Sequence, residues 1–201
     1  MKTIRCDFSG VYAEEDFLVG EALDFTSLDG TSCYCSEEAA ACIRKVLAPF
    51  SPHGIHWIDS GDYHYVSLFW LEMIEEPFRL VLFDNHPDDQ QTAFGPDVLS
   101  CGSWVASARE LSNYNESAEA IYISIDKDVL SPNYARTDWD QGTMTLEELT
   151  RTIKKLASEY RIIGVDVCGE LSISKGATAE DLRINSHTNR IIQELLLNLQ
   201  D

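Results

Sequence analysis

The stretch Leu80-Val81-Leu82-Phe83-Asp84-Asn85-His86-Pro87-Asp88-Asp89 changes character at one residue. Four apolar residues read as a buried strand, and three potential metal ligands, Asp84, His86 and Asp88, then follow at alternate positions. An extended strand end points alternate residues to one side, so the three are expected to converge. Converging buried carboxylates repel one another and lose hydration at a cost of several kcal/mol, so they require a cation, protons or basic partners. Few basic residues lie nearby. A second stretch, Ile121-Tyr122-Ile123-Ser124-Ile125-Asp126-Lys127-Asp128, repeats the design: an apolar strand ending in two acids with one residue between them. One acidic strand end is ordinary, whereas two make a constellation.

Outward from these strands the chain alternates strands with helices. Lys2 to Phe8 reads as an opening strand, followed by an acidic, irregular connection as far as Cys35. A helix is expected from Glu37 to Leu47, with Ser36 as its N-cap, acids in its first turn, Arg44 and Lys45 near its end and Pro49 just beyond. A strand from Ile55 to Ile58 runs into Asp59-Ser60-Gly61-Asp62-Tyr63-His64, and Val66 to Ile74 reads as the helix behind it. After the strand at 79 to 83, a loop bearing Gly95 and Pro96 leads to a helix from Trp104 to Leu111. The run from Pro132 to Gly142 is too long for a mere connector and reads as a site wall. Thr145-Leu146-Glu147-Glu148 is a capping box opening a helix that reaches Ser158. Arg161 to Val167 is a further strand, and a last helix is expected from His187 to Leu199, with Ile191, Ile192, Leu195, Leu196 and Leu199 as its apolar side.

This alternation predicts an α/β fold in one domain, a mostly parallel sheet covered on both faces. Ligands of such folds bind outside the carboxyl ends of the strands. His64, Asp84, His86, Asp88, Asp126, Asp128, Asp166 and Glu170 all fall at or just past expected strand ends. Two imidazoles with several carboxylates form a hard N/O donor set suited to Mn²⁺ or Fe²⁺, with Zn²⁺ also accommodated. Two divalent ions would neutralise four aspartates. His53, His56 and His187 read as surface residues outside this set.

The 201 residues are 44% hydrophobic, without repeats or low-complexity tracts. No apolar run is as long as a membrane span, and the N-terminus lacks the pattern of a signal peptide, so the cytoplasm is the default location. A net charge of −19 disfavours nucleic acid and anionic lipid as partners. The six cysteines, at 6, 33, 35, 42, 101 and 168, form no CxxC pair and read as reduced. Homo-oligomerisation stays open.

Three motifs now carry a resemblance. His64, Asp84-Asn85-His86-Pro87-Asp88 and Ser124-Ile125-Asp126-Lys127-Asp128, continued by Val129-Leu130-Ser131-Pro132, resemble the metal-ligand motifs of the arginase and agmatinase (ureohydrolase) family in the same order. The resemblance covers roughly Ile55 to Glu170. It implies a three-layer α/β/α fold, two Mn²⁺ per chain, and hydrolysis of a carbon–nitrogen bond at a guanidino or amidino carbon of a small, cationic substrate. By position it implies that Asp84 and Asp126 touch both metals, that His64 and Asp88 complete one site, and that His86 and Asp128 complete the other. A hydroxide held between the metals would attack the trigonal carbon.

The chain also departs from the family. Tyr63 separates Asp62 from His64, where the family has Gly-Asp-His in succession. Where ureohydrolases present a His-Gly past the second motif, this chain has Ser100-Cys101-Gly102-Ser103, which makes Cys101 a candidate acid or nucleophile beside Asp128. Three residues rather than two separate Asp166 from Glu170, the candidate for holding a substrate cation, with Asp166 itself as the substitute. Arg136 to Gly142 replaces a small, Gly- and Pro-rich loop, and there Trp139 and Asp138 offer a ring and a carboxylate to an organic cation. Two other readings stand beside hydrolysis of this type. One is a deacetylase-like amide hydrolase, which the lack of a His-His pair opposes. The other is a metal-binding protein that binds a ligand without turnover.

Overall fold

The computed structural model describes residues 2–14, 20–90 and 98–199. Its centre is a six-stranded sheet built from β1 (Lys2–Asp7), β2 (Glu21–Asp24), β4 (Gly54–Ile58), β5 (Arg79–Phe83), β7 (Ala120–Asp126) and β8 (Arg161–Cys168). The strand order is β2-β1-β4-β8-β7-β5, and every pairing is parallel. Between these strands lie β3 (Tyr34–Cys35) and β6 (Leu99–Ser100), which pair antiparallel with Tyr34 opposite Ser100. The helices are α1 (Glu37–Leu47), α2 (Val66–Leu71), α3 (Trp104–Arg109), α4 (Leu146–Glu159) and α5 (Ala179–Asn198). Among the described residues no helix is long and apolar enough to cross a membrane.

Period-two alternation along the strands generates the three layers. In β7, Ile121, Ile123 and Ile125 join one buried cluster with Leu149 and Ile153 of α4 and with Ile192, Leu195 and Leu196 of α5. Tyr122 faces the other way, into a cluster with Ile43 of α1, Phe69 and Trp70 of α2 and Trp104 of α3. Trp57, Trp70 and Trp104 are fully buried. Each removes about 150–250 Å² from water, a gain of about 4–6 kcal/mol before conformational entropy is counted.

The expected elements from Glu37 onward recur with shifted ends. Ser36 caps α1 by accepting from the Ala39 amide, and Thr145 with Glu148 forms the capping box of α4. The final helix begins eight residues earlier than expected, at Ala179. There Thr178 and Asp181 make a second capping box, with aspartate in the position where glutamate or glutamine is the usual signal. His187 is therefore mid-helix, although exposed. His56 is not a surface residue: it is fully buried, stacked on Trp70 at 3.8 Å, with Nδ1 2.9 Å from the Tyr122 hydroxyl. Burial lowers its pKa to about 3, so it stays neutral. β2 and β3 lie within the connection read as irregular. Gly95 and Pro96, expected in the loop before α3, lie outside the described residues.

Chain order explains where the site sits. The chain leaves β4, builds the edge strand β5, and then fills the gap inward with β7 and β8. The carboxyl ends of four strands thus open on one side, with Asp59 after β4, Asp84 after β5, Asp126 at the end of β7 and Cys168 at the end of β8.

Candidate metal centre

Asp84 follows β5 directly, but the chain does not stay extended beyond it. The Asp84 carboxylate accepts the His86 amide at 2.6 Å, making a bend, and Asp88 adopts a left-handed conformation with φ of 45°. The three ligands converge through this bend and not through strand alternation. His86 and Asp88 consequently fall in different donor groups, each with Asp84.

Two groups of donor atoms form around Asp84. His64, Asp84 and Asp88 bring one ligand atom each within 4.8 Å of one another, and so do Asp84, His86 and Asp128. In the first group His64 Nδ1 stands 3.2 Å from Asp84 Oδ2 and 3.1 Å from Asp88 Oδ2. In the second, His86 Nδ1 stands 2.7 Å from Asp128 Oδ2 and 3.6 Å from Asp84 Oδ1. Asp84 is common to both, one oxygen to each. Asp126 caps the short 3-10 turn Lys127–Val129 through Oδ1, which accepts the Asp128 amide, and turns Oδ2 toward His64 Nδ1 at 3.7 Å.

Supporting contacts orient these ligands. His64 Nε2 lies 2.8 Å from Ser124 Oγ, which donates to Asp166 at 2.6 Å, leaving Nδ1 facing the acids. Trp104 Nε1 donates to Asp88 at 2.8 Å, and the Asn85 amide donates to Asp128 at 2.9 Å. The extra residue Tyr63 is absorbed by the 3-10 turn Gly61–Tyr63, where its ring stacks on Phe8 at 4.3 Å. Gly169, with φ of +92°, leaves room that a side chain would take, since a Cβ there would stand 2.4 Å from Asp126 Oδ1.

The electrostatics call for protons or a cation. Burial, together with the Asp128 charge, raises Asp126 to about 6, and burial with the Asp84 charge raises Asp128 to about 6. His64 Nδ1 and Asp84 Oδ2, both on side chains at most 2% exposed, make no hydrogen bond although they lie in contact. The orphaned atoms and the N/O donor set fit divalent cations.

A pH dependence follows for the protein stripped of metal. Asp126 and Asp128 bind protons more tightly folded than unfolded, so their contribution to stability is complete below about 4 and is lost as pH rises through about 6. In chelator, the melting temperature should fall between pH 4.5 and 7 relative to the metal-loaded protein. Parallel profiles with and without chelator would contradict the placement of these two acids.

Above the acids lies a cavity of about 370 Å³, lined among the described residues by Asp84, His86, Asp88, Asp126 and Asp128 and by neutral groups that include Gln90, Cys101 and Trp139. Trp139 is 40% exposed and donates through Nε1 to Asp62, which also holds Lys175 at 3.1 Å. Burial raises the Cys101 thiol to about 12.

Against solved structures, the chain superposes on formimidoylglutamase from Bacillus subtilis with a TM-score of 0.61 at 14% identity, covering 96% of this chain and 85% of that one. Proclavaminate amidino hydrolase from Streptomyces clavuligerus gives 0.63 at 12% identity, with 96% and 91% covered. A hypothetical agmatinase from Burkholderia thailandensis gives 0.62 at 14% identity, with 100% and 86% covered. The chain has the ureohydrolase fold. An uncharacterized protein of Thermotoga maritima is 28% identical over 195 residues, spanning 82% of this chain and 78% of its own. No family model matches.

Within this ureohydrolase-fold chain the structure brings His64, Asp84, His86, Asp88, Asp126 and Asp128 together beneath the cavity, with Cys101 and Trp139 on its wall. Two candidates for substrate contact stand elsewhere. Asp166 is buried beneath Ser124 and does not line the cavity. Glu170 is also buried: its Oε1 takes the ammonium of fully buried Lys127 and the Asn189 amide at 2.7 Å, while Oε2 takes Asn185 at 3.0 Å. The cation at position 127 and the two asparagine amides thus engage that carboxylate in the core. Two features escaped the sequence reading: Lys127 as an internal cation, and Cys168, grouped with His64 and Asp126. For Cys168 a signal existed, because it stands two residues past Asp166 on the same strand face.

Proposed function

We propose that this chain is a metal-dependent hydrolase of the ureohydrolase type, acting at a carbon–nitrogen bond of a guanidino, amidino or related small compound. The observation that carries the reading is a pair of three-residue donor groups joined through Asp84 beneath an open cavity. His64, Asp84, Asp88 and Asp126 would hold one divalent ion, and Asp84, His86 and Asp128 the other, with manganese suited to this oxygen-rich set. Divalent ions bound there supply Lewis-acid polarisation and acidify a water at neutral pH.

The chain's own residues do the rest. Asp128 accepts a proton at Oδ2 and is held in place by the Asn85 amide. Trp139 offers an aromatic face to a planar substrate group, 5.9 Å between centroids from His86. Cys101, kept protonated at neutral pH by its burial, would donate to a leaving amine from the cavity wall. With the floor acids neutralised by two ions, the rest of the described wall is neutral and Glu170 is engaged by Lys127, so no free carboxylate of the described lining is left to hold an organic cation. The second donor group, His86 with Asp128, favours this reading over a one-metal deacetylase.

The test is a panel of guanidino, amidino and acetylated compounds offered to metal-loaded protein. Urea release is expected, and Cys101→Ser should lower kcat at least about tenfold with metal content intact. Acetate release alone would replace the reading with a deacetylase, and retained metal without any turnover would replace it with a binding protein.

A further inference from the structure

Cys168 ends β8 in register with Asp126 at the end of β7. Its Sγ lies 3.2 Å from Asp126 Oδ2, and ligand atoms of Cys168, Asp126 and His64 all fall within 4.8 Å of one another. All three residues are buried. A buried cysteine ordinarily packs as a small apolar group. This one joins the core cluster of Ile43, Phe69 and Trp104 and also meets an imidazole and a carboxylate, to which its thiol donates.

A second observation points at the same place. His64 Nδ1 has no hydrogen-bond partner, although Asp84 Oδ2, Asp88 Oδ2 and Asp126 Oδ2 surround it at 3.2, 3.1 and 3.7 Å. Donors bonded to one ion at about 2.0–2.3 Å stand roughly 3–4 Å apart. The spacing among these atoms, and between Asp126 and Cys168, is of that size.

We propose that Cys168 is a ligand of the His64 metal position, which therefore carries nitrogen, oxygen and sulfur donors and selects a thiophilic divalent ion, zinc above all, over manganese. The proposal rests on the reading of the acids as a metal centre. On coordination the S–H bond breaks, the proton leaves to solvent and a sulfur–metal bond forms. The two positions then differ in preference: the His86 position has only nitrogen and oxygen donors, while the His64 position adds the sulfur. A mixed-metal centre is the consequence.

The probe is cobalt(II) loaded into chelator-stripped protein, because a thiolate ligand gives cobalt a near-ultraviolet charge-transfer band. The band is expected in the wild type and absent from Cys168→Ser. That variant should also shift zinc-against-manganese competition toward manganese at least about tenfold. Zinc X-ray absorption on the wild-type chain needs no variant and should show a sulfur neighbour at about 2.3 Å. Bound metal with only nitrogen and oxygen neighbours overturns the proposal and leaves the metal centre standing, as does a band lost in Cys101→Ser instead. Failure to retain any metal overturns both.

Discussion

Asp84→Asn should empty both metal positions at once. Asp84 is the one residue shared by the two donor groups, giving Oδ2 to the side of His64 and Oδ1 to the side of His86. An amide keeps the shape but removes a charge and one strong acceptor. Removing groups that merely support metal ligands costs 10–100-fold in affinity, so loss of a shared ligand should cost more than about 100-fold at each position. His86→Ala is the contrast, since His86 belongs to one group only and one ion should remain. Elemental analysis after gel filtration separates these outcomes, and Asp84→Asn retaining two ions would contradict the shared-ligand geometry.

Lys127→Met should be the most destabilising of the variants considered. Lys127 is fully buried and donates to Glu170 and, at 2.8 Å, to Asn189. Methionine fills the space of the stem but leaves the Glu170 carboxylate charged and uncompensated in the core. Breaking one side of such a pair costs about 3–5 kcal/mol. At roughly 2–4 °C per kcal/mol for a chain of this size, the melting temperature should drop by about 6–20 °C. The double variant Lys127→Met with Glu170→Gln should recover most of the loss, because the glutamine amide can still meet Asn185 and Asn189. No recovery in the double variant would mean that Lys127 acts through Asp126 and Asp128 beside it.

The sheet and its helices were legible because apolar strand runs and capping signals agree from Glu37 onward. Ser36, the Thr145 capping box and the runs at 79–83 and 121–125 each state a local preference that the packing does not override. What escaped was long-range. β2 is a four-residue edge strand with one buried side chain, and β3 has only two residues, so neither carries a periodic signal. Thr178 carries a weak start signal for α5 because aspartate stands at 181, where glutamate or glutamine is the usual partner.

In the site, the acids and histidines were legible as residue types at strand ends, whereas their assignment to contacts was not. The bend at Asp84 to His86 depends on a side-chain hydrogen bond that alternation cannot express. Glu170 illustrates the same limit, since its role is decided by Lys127, 43 positions away. Asp166 and Cys168 share a strand face. Only the register of β8 against β7 brings Cys168, and not Asp166, alongside Asp126.

The central claim is a two-ion centre organised around Asp84, and metal stoichiometry tests it most directly. Elemental content would be measured on protein purified without chelators, and again after loading with manganese and zinc followed by gel filtration. The account predicts two divalent ions per loaded chain, lost together in Asp84→Asn. A chain that retains no metal after loading would contradict it, and the carboxylates at these strand ends would then be held by protons.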